Sequence, residues 1–188
     1  QISGLIRSSN ADDELALEIL TSNKEVLNLA STPEGVSLLW EVCQIPDFRK
    51  VMSDAHARLL GKIYVHLMDT SKTGRLPTDW IAKNLQRLDS VDGNIEFLTD
   101  RLANIRTWTY IAHHSEWLDN ACYWQEKTKN VEDKLSDALH ARLTQRFVDQ
   151  RTTLLVKHLH NHHNLLAFVK KDGAVFVEGQ VVGILKGF

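Results

Sequence analysis

A chain of 188 residues, 43% apolar and 24% charged, has the make-up of one globular domain or two small ones, with enough apolar surface for a core. Its formal net charge of −2 supplies no overall attraction to nucleic acid or to an anionic membrane, so any such contact must come from a local patch. There is no apolar run of membrane-span length and no leader-like start, and the two cysteines, Cys43 and Cys122, fit a reducing, cytoplasmic setting better than a disulfide framework.

In chain order, residues 1–10 are polar and predicted to fray, a short helix begins at Asp12, and a second lies around residues 24–30. Thr32 followed by Pro33 is a cap-plus-proline start for a third helix, which carries Val36, Leu38, Leu39, Trp40 and Val42, is nearly all apolar and predicted to be buried, and stops before Pro46. Asp47 is placed to cap a fourth helix running through Phe48, Val51, Met52, Leu60, Ile63 and Leu67 toward Gly74. On it Arg49, Lys50, Arg58 and Lys62 form a basic set, Arg58 and Lys62 lying one turn apart. A fifth helix starts within Leu76–Trp80 and ends near Asp89, a turn follows at Val91–Asn94, and a sixth helix from Ile95 to about His114 repeats apolar residues at three-four spacing.

The stretch of about 130–161 has neither Pro nor Gly and reads as one long helix, capped by Asn130 with Asp133 closing a capping box. Acidic residues gather early and Arg151, Lys157 and histidines late, the order the helix dipole favours, and the rod spans roughly 45 Å. At 100° per residue, Leu143, Phe147, Leu154, Leu155 and Leu159 share a broad apolar side, while Arg142, Arg146, Thr153, Lys157 and His160 fall in a narrow basic sector. Val131, Leu135 and Leu139 lie near that later-basic sector, so the buried side rotates along the rod. Arg151 projects from the apolar side and is predicted to form a buried ion pair. Beyond His163, residues 165–170, 174–177 and 180–185 read as strands, with Asp172 and Gly173 at a hairpin turn. The expected fold is mainly α: a multi-helix bundle over residues 1–163, built around the long helix, then a small, incomplete β-hairpin unit over 164–188. A start at Gln1 and an end within an apparent strand at Phe188 read as a piece of a longer protein.

There is no phosphate loop GxxxxGK[ST], no GxGxxG after a strand, no HExxH and no GxSxG, so ATP hydrolysis, dinucleotide binding and catalysis are not expected of this chain. His158, His160, His162 and His163 crowd one helix end, but alternate helical residues diverge and a solvated helix end is the simpler reading; no metal site is expected. The acidic pairs Asp12/Asp13 and Glu132/Asp133 sit in predicted first turns, where helix stability accounts for them. Basic residues beside aromatics point to single-stranded nucleic acid: Arg142, Arg146 and Lys157 on the long helix, Arg58 and Lys62 on the fourth, and Arg106 near Trp108 and Tyr110. Solvated basic sectors and core tryptophans explain the same residues without a ligand.

The stretches SLLWEVCQIPDFRK (37–50), LANIRTWTYIAHHSEWL (102–118), SDALHARLTQRFVDQRTTLL (136–155) and VEGQVVGILKGF (177–188) together resemble the C-terminal region of alphaproteobacterial DExH helicases, Ski-like members of superfamily two related to the mitochondrial RNA-degradosome helicase. The resemblance runs from about Thr32 onward and rests on segment texture. In such proteins the motor lobes carry the ATP- and Mg-binding motifs, none of which is present here. What the resemblance implies is a non-catalytic accessory domain without a cofactor of its own. Its partners are then the motor lobes of the same chain and single-stranded RNA or DNA, not a membrane. The other reading is a helical protein-interaction module with no nucleic-acid role.

Overall fold

The computed structural model describes the backbone of residues 11–49, 54–69, 74–160, 167–170, 172–177 and 180–185, and the side chains of these except 54, 154–160 and 180. Several helices begin where the sequence supplies a cap. Helix α1 (Asp12–Thr21) opens with Asp12, Asp13 and Glu14 against the positive end of its dipole. Asn23 caps α2 (Lys24–Leu29), and at α3 (Pro33–Cys43) the Gly35 amide donates to the Thr32 hydroxyl oxygen at 3.1 Å. Next come α4 (Asp54–Met68) and α5 (Thr78–Leu88). Gly93, at φ 122°, turns the chain into α6 (Ile95–Ala112), where the Phe97 amide donates to Asn94 Oδ1 at 2.9 Å. A 3₁₀ turn (Ser115–Trp117) leads to α7 (Ala121–His160), and strands β1 (Ala167–Val169), β2 (Ala174–Val177) and β3 (Gln180–Ile184) close the order. The protein is therefore mainly helical with a small antiparallel C-terminal sheet. It divides into two compact units inside α7, Gln1–Leu139 and His140–Phe188.

In the first unit, Leu39 and Val42 of α3, Leu60, Ile63 and Tyr64 of α4, Leu85 of α5, and Leu98, Ile105 and Ile111 of α6 belong to one buried cluster. The Tyr64 hydroxyl donates to the carbonyl of Gly35 at 3.0 Å, so its burial leaves no orphaned polar atom. From α7 come Trp124, Thr128, Val131 and Leu135, a buried stripe at three-four spacing.

Three sequence expectations change here. Helix α3 is buried on one side only: Leu39, Val42 and Cys43 face inward, whereas Val36 and Trp40 are 53% and 38% exposed. Asp47 does not open a helix at Phe48; Oδ1 accepts the Arg49 amide at 3.0 Å in a turn that includes Phe48, which is exposed. A short acidic side chain satisfies its own local backbone in this way as readily as it caps a helix. Val51 and Met52 lie outside the described residues. Third, α7 starts at Ala121, so Asn130 and Asp133 are exposed mid-helix residues and form no capping box. The chain turns at Asn120, in the left-handed region at φ 57°, and its carbonyl accepts the amides of Tyr123 and Trp124. Burial of Trp124 draws the aromatic link into the helix, which at 40 residues is about 60 Å long.

In the second unit, the residues of α7 from His140 to Thr153 are exposed on every side. Leu143, Phe147 and Val148 are among them, at 48%, 56% and 49%. Arg151 is accordingly not in a buried ion pair: it is exposed, its guanidinium carbon lies 4.9 Å from the Phe147 ring centroid, and no carboxylate among the described residues pairs with it. The apolar side that was expected to bury it is a solvent-facing side of this chain, and a cation over a ring is what remains favourable there.

The sheet is a three-stranded antiparallel meander in the order β1-β2-β3, one strand for each of the three stretches read as strands. Phe168 faces Phe176 across β1 and β2 with the rings parallel at 5.0 Å, and the Lys170 ammonium sits 4.5 Å from the Phe176 ring centroid. The turn uses Asp172 and Gly173 as the sequence predicts: Asp172 Oδ1 accepts the Ala174 amide, and Gly173 holds φ 82°. A Cβ at Gly173 would meet the Leu185 carbonyl oxygen at 2.8 Å. Gly173→Ala is thus expected to weaken β2–β3 pairing by more than ~1 kcal/mol, seen as faster amide exchange at Leu185, whose N–H donates to Gly173. Unchanged protection there means the turn is not what sets the sheet.

Candidate nucleic-acid interface

Helix α4 is amphipathic. Leu60, Ile63, Tyr64 and Leu67 turn into the core, which leaves Arg58, Lys62 and His66 at one-turn spacing on another face. All three line an open groove of about 740 Å³. Its apolar lining includes Ile19, Leu20, Ala57, Gly61 and Val65, while Trp80 of α5 and Asn23 and Glu25 at the start of α2 complete the wall. The Trp80 ring lies 4.9 Å from that of His66 and 5.3 Å, edge-on, from that of Trp108, so it is fixed from two sides.

Among the described residues neither Arg58 nor Lys62 has a carboxylate partner, and of the unpaired cations of this unit these two line the groove. Elsewhere in this unit Arg49 pairs with Asp100 at 2.7 Å, Arg75 with Asp119 at 2.6 Å, and Lys134 with Asp89 at 3.1 Å. Arg101 donates to the carbonyls of Ser90 and Asp92. Arg106, one of the candidate contacts, donates through Nε to Glu132 Oε1 at 3.1 Å, while the Thr109 hydroxyl donates to the other oxygen of the same carboxylate. Its charge is spent joining α6 to α7. Trp108 is buried, and the half-buried Tyr110 ring lies 5.2 Å from that of His114.

Arg142 and Arg146 are exposed one turn apart on α7, in the second unit, and form no ion pair among the described residues. The backbone of Lys157 continues that helix, and its side chain lies outside the described residues. The five candidates with described side chains therefore fall into a groove pair, a structural clamp and an exposed pair on α7. The sequence left Trp80, His66, Asn23 and Glu25 unassigned. The signal available for His66 was the i, i+4, i+8 series it makes with Arg58 and Lys62.

Other chemistry finds little footing. Burial pushes the Cys43 thiol up to about 11, with Asp13 adding to the effect, so it is no thiolate nucleophile at neutral pH. Cys122 is exposed, and both thiols are free. Among the described residues no three His, Cys, Asp or Glu side chains converge as a metal would require, and no helix is long and apolar enough to cross a membrane. The side chains of His158 and His160, with His162 and His163, lie outside the described residues. Compared with models of protein families, with curated proteins and with solved structures, the chain matches none.

Proposed function

We propose that the chain is a non-catalytic accessory domain of an ATP-dependent RNA or DNA helicase, packing on motor lobes that bind ATP and Mg and offering basic surface to a single strand. The family resemblance of residues 37–50, 102–118, 136–155 and 177–188 suggests it, and two free thiols suit a cytoplasmic setting. The observation that carries the strand contact is paired basic charge at one-turn spacing: among the described residues Arg58 and Lys62, and separately Arg142 and Arg146, have no carboxylate partner, while Arg49, Arg75 and Arg106 are ion-paired.

Fluorescence anisotropy with single-stranded RNA tests it. Binding is expected on the order of 10⁻⁴ to 10⁻⁶ M at physiological salt, tightening as salt falls, with Arg142→Glu/Arg146→Glu weakening it about fivefold or more. Absence of binding at low salt overturns the strand role, and indifference to that double reversal removes α7 from the path. One observation favours the interaction-module alternative: Leu143, Phe147 and Val148 are bare on α7. On that reading the protein self-associates in sedimentation and Leu143→Glu/Phe147→Glu abolishes the effect.

A further inference from the structure

The lining of the α4 groove is mixed in a way that narrows its ligand. Arg58 and Lys62 present two cations from one helix face, with no ion-pair partner among the described residues. Asn23 and Glu25 come from a different element, and Asn23 Oδ1 already accepts the Glu25 amide at 2.9 Å, leaving its NH₂ to donate and the Glu25 carboxylate to accept. Apolar side chains and the half-buried Trp80 share the lining with them. A ligand satisfying all three must carry an anion at one end, a planar apolar body, and hydrogen-bond donors. An acidic peptide supplies the first but meets repulsion at Glu25 and brings no planar group to the apolar lining. A free phosphate uses only the two cations. A nucleotide supplies all three: phosphate for Arg58 and Lys62, a base for the Trp80 side, and ribose hydroxyls or an exocyclic amine for Glu25. The volume of about 740 Å³ is within the range of small-ligand sites.

We infer that the groove between α4, α5 and the start of α2 seats one nucleotide unit, its phosphate held by Arg58 and Lys62 and its base toward Trp80. As a strand contact this rests on the proposed nucleic-acid role, and it adds to that role a defined seat remote in sequence from the basic sector of α7.

The test uses the whole 188-residue chain and three probes: a labelled uridine 12-mer, uridine 5′-monophosphate, and a glutamate decamer as competitor. Arg58→Glu/Lys62→Glu alters two exposed side chains and is checked for an unchanged melting transition. The variant is expected to bind the 12-mer at least tenfold more weakly, with its log–log salt slope shallower by about 0.7, the value for one phosphate of a single strand. Arg58→Lys/Lys62→Arg should bind like the wild type. If the wild type binds the strand and the Glu variant binds equally well with the same slope, the groove inference falls and the strand role stands. If the strand does not bind but the monophosphate does, and only with Arg58 and Lys62 intact, the strand role falls and the groove is a free-nucleotide site. Binding of neither, or equal competition by the glutamate decamer, overturns the nucleotide seat.

Discussion

Trp124→Ala is expected to lower the unfolding free energy of the helical unit by about 3–5 kcal/mol, the range for emptying a buried tryptophan site. Trp124 is 4% exposed and opens the stripe by which α7 joins the core, ahead of Thr128, Val131 and Leu135. Against a total stability of about 5–15 kcal/mol for a domain, that loss consumes much of the margin. Phe147→Ala, in the same helix, removes a ring that is 56% exposed and is expected to change stability by less than ~0.5 kcal/mol. Urea melts followed by far-ultraviolet dichroism compare the two. Similar losses from both would show Phe147 packed in solution, and with it that the two halves of α7 do not differ as described.

Gly35→Val is expected to destabilise the same unit by about 1–3 kcal/mol, although glycine in a helix is ordinarily a weakness. A Cβ at this position would lie 2.9 Å from the Leu29 carbonyl oxygen, 3.2 Å from Met68 Cε and 3.3 Å from Thr32 Oγ1. The methionine end can move aside; the carbonyl belongs to the last residue of α2 and cannot do so without shifting that helix. Gly35 also donates its amide to the Thr32 cap and accepts the Tyr64 hydroxyl through its carbonyl, so displacing it disturbs three elements. Gly35→Ala should be milder, because the usual gain in helix propensity of up to about 1 kcal/mol offsets part of the clash. A valine variant with a wild-type urea midpoint would mean that α2 and α3 are not in close contact there.

Much of the fold was legible because local chemistry and tertiary packing agree. The starts at Thr32-Pro33 and Asn94, the stop before Pro46 and the Asp172-Gly173 turn all follow from side chains acting on their own backbone. Sequence reading failed where a distant contact decided the outcome. Asn130 has the chemistry of a cap, yet burial of Trp124 carries the helix back to Ala121. Arg151 stood among apolar residues, and periodicity alone does not reveal whether an apolar side has a partner. At the candidate site, Arg58 and Lys62 were visible as a helical pair, but Trp80, Asn23 and Glu25 reach the groove from other elements. Likewise nothing in the spacing of Arg106 shows that Glu132 neutralises it.

The Glu132 carboxylate bears on more than charge. Apolar residues recur along the first half of α7 at Trp124, Val131, Leu135, Ala138 and Leu139, so a slip of one turn, about 5.4 Å, would still lay greasy side chains on the core. Such a slip would break Arg106 and Thr109 away from Glu132, Lys134 from Asp89, and the Gln125 amide from the Ala112 carbonyl. These polar ties index the helix as teeth index a rack: each is individually weak, but together they make one axial position of the first half of α7 distinct from its neighbours.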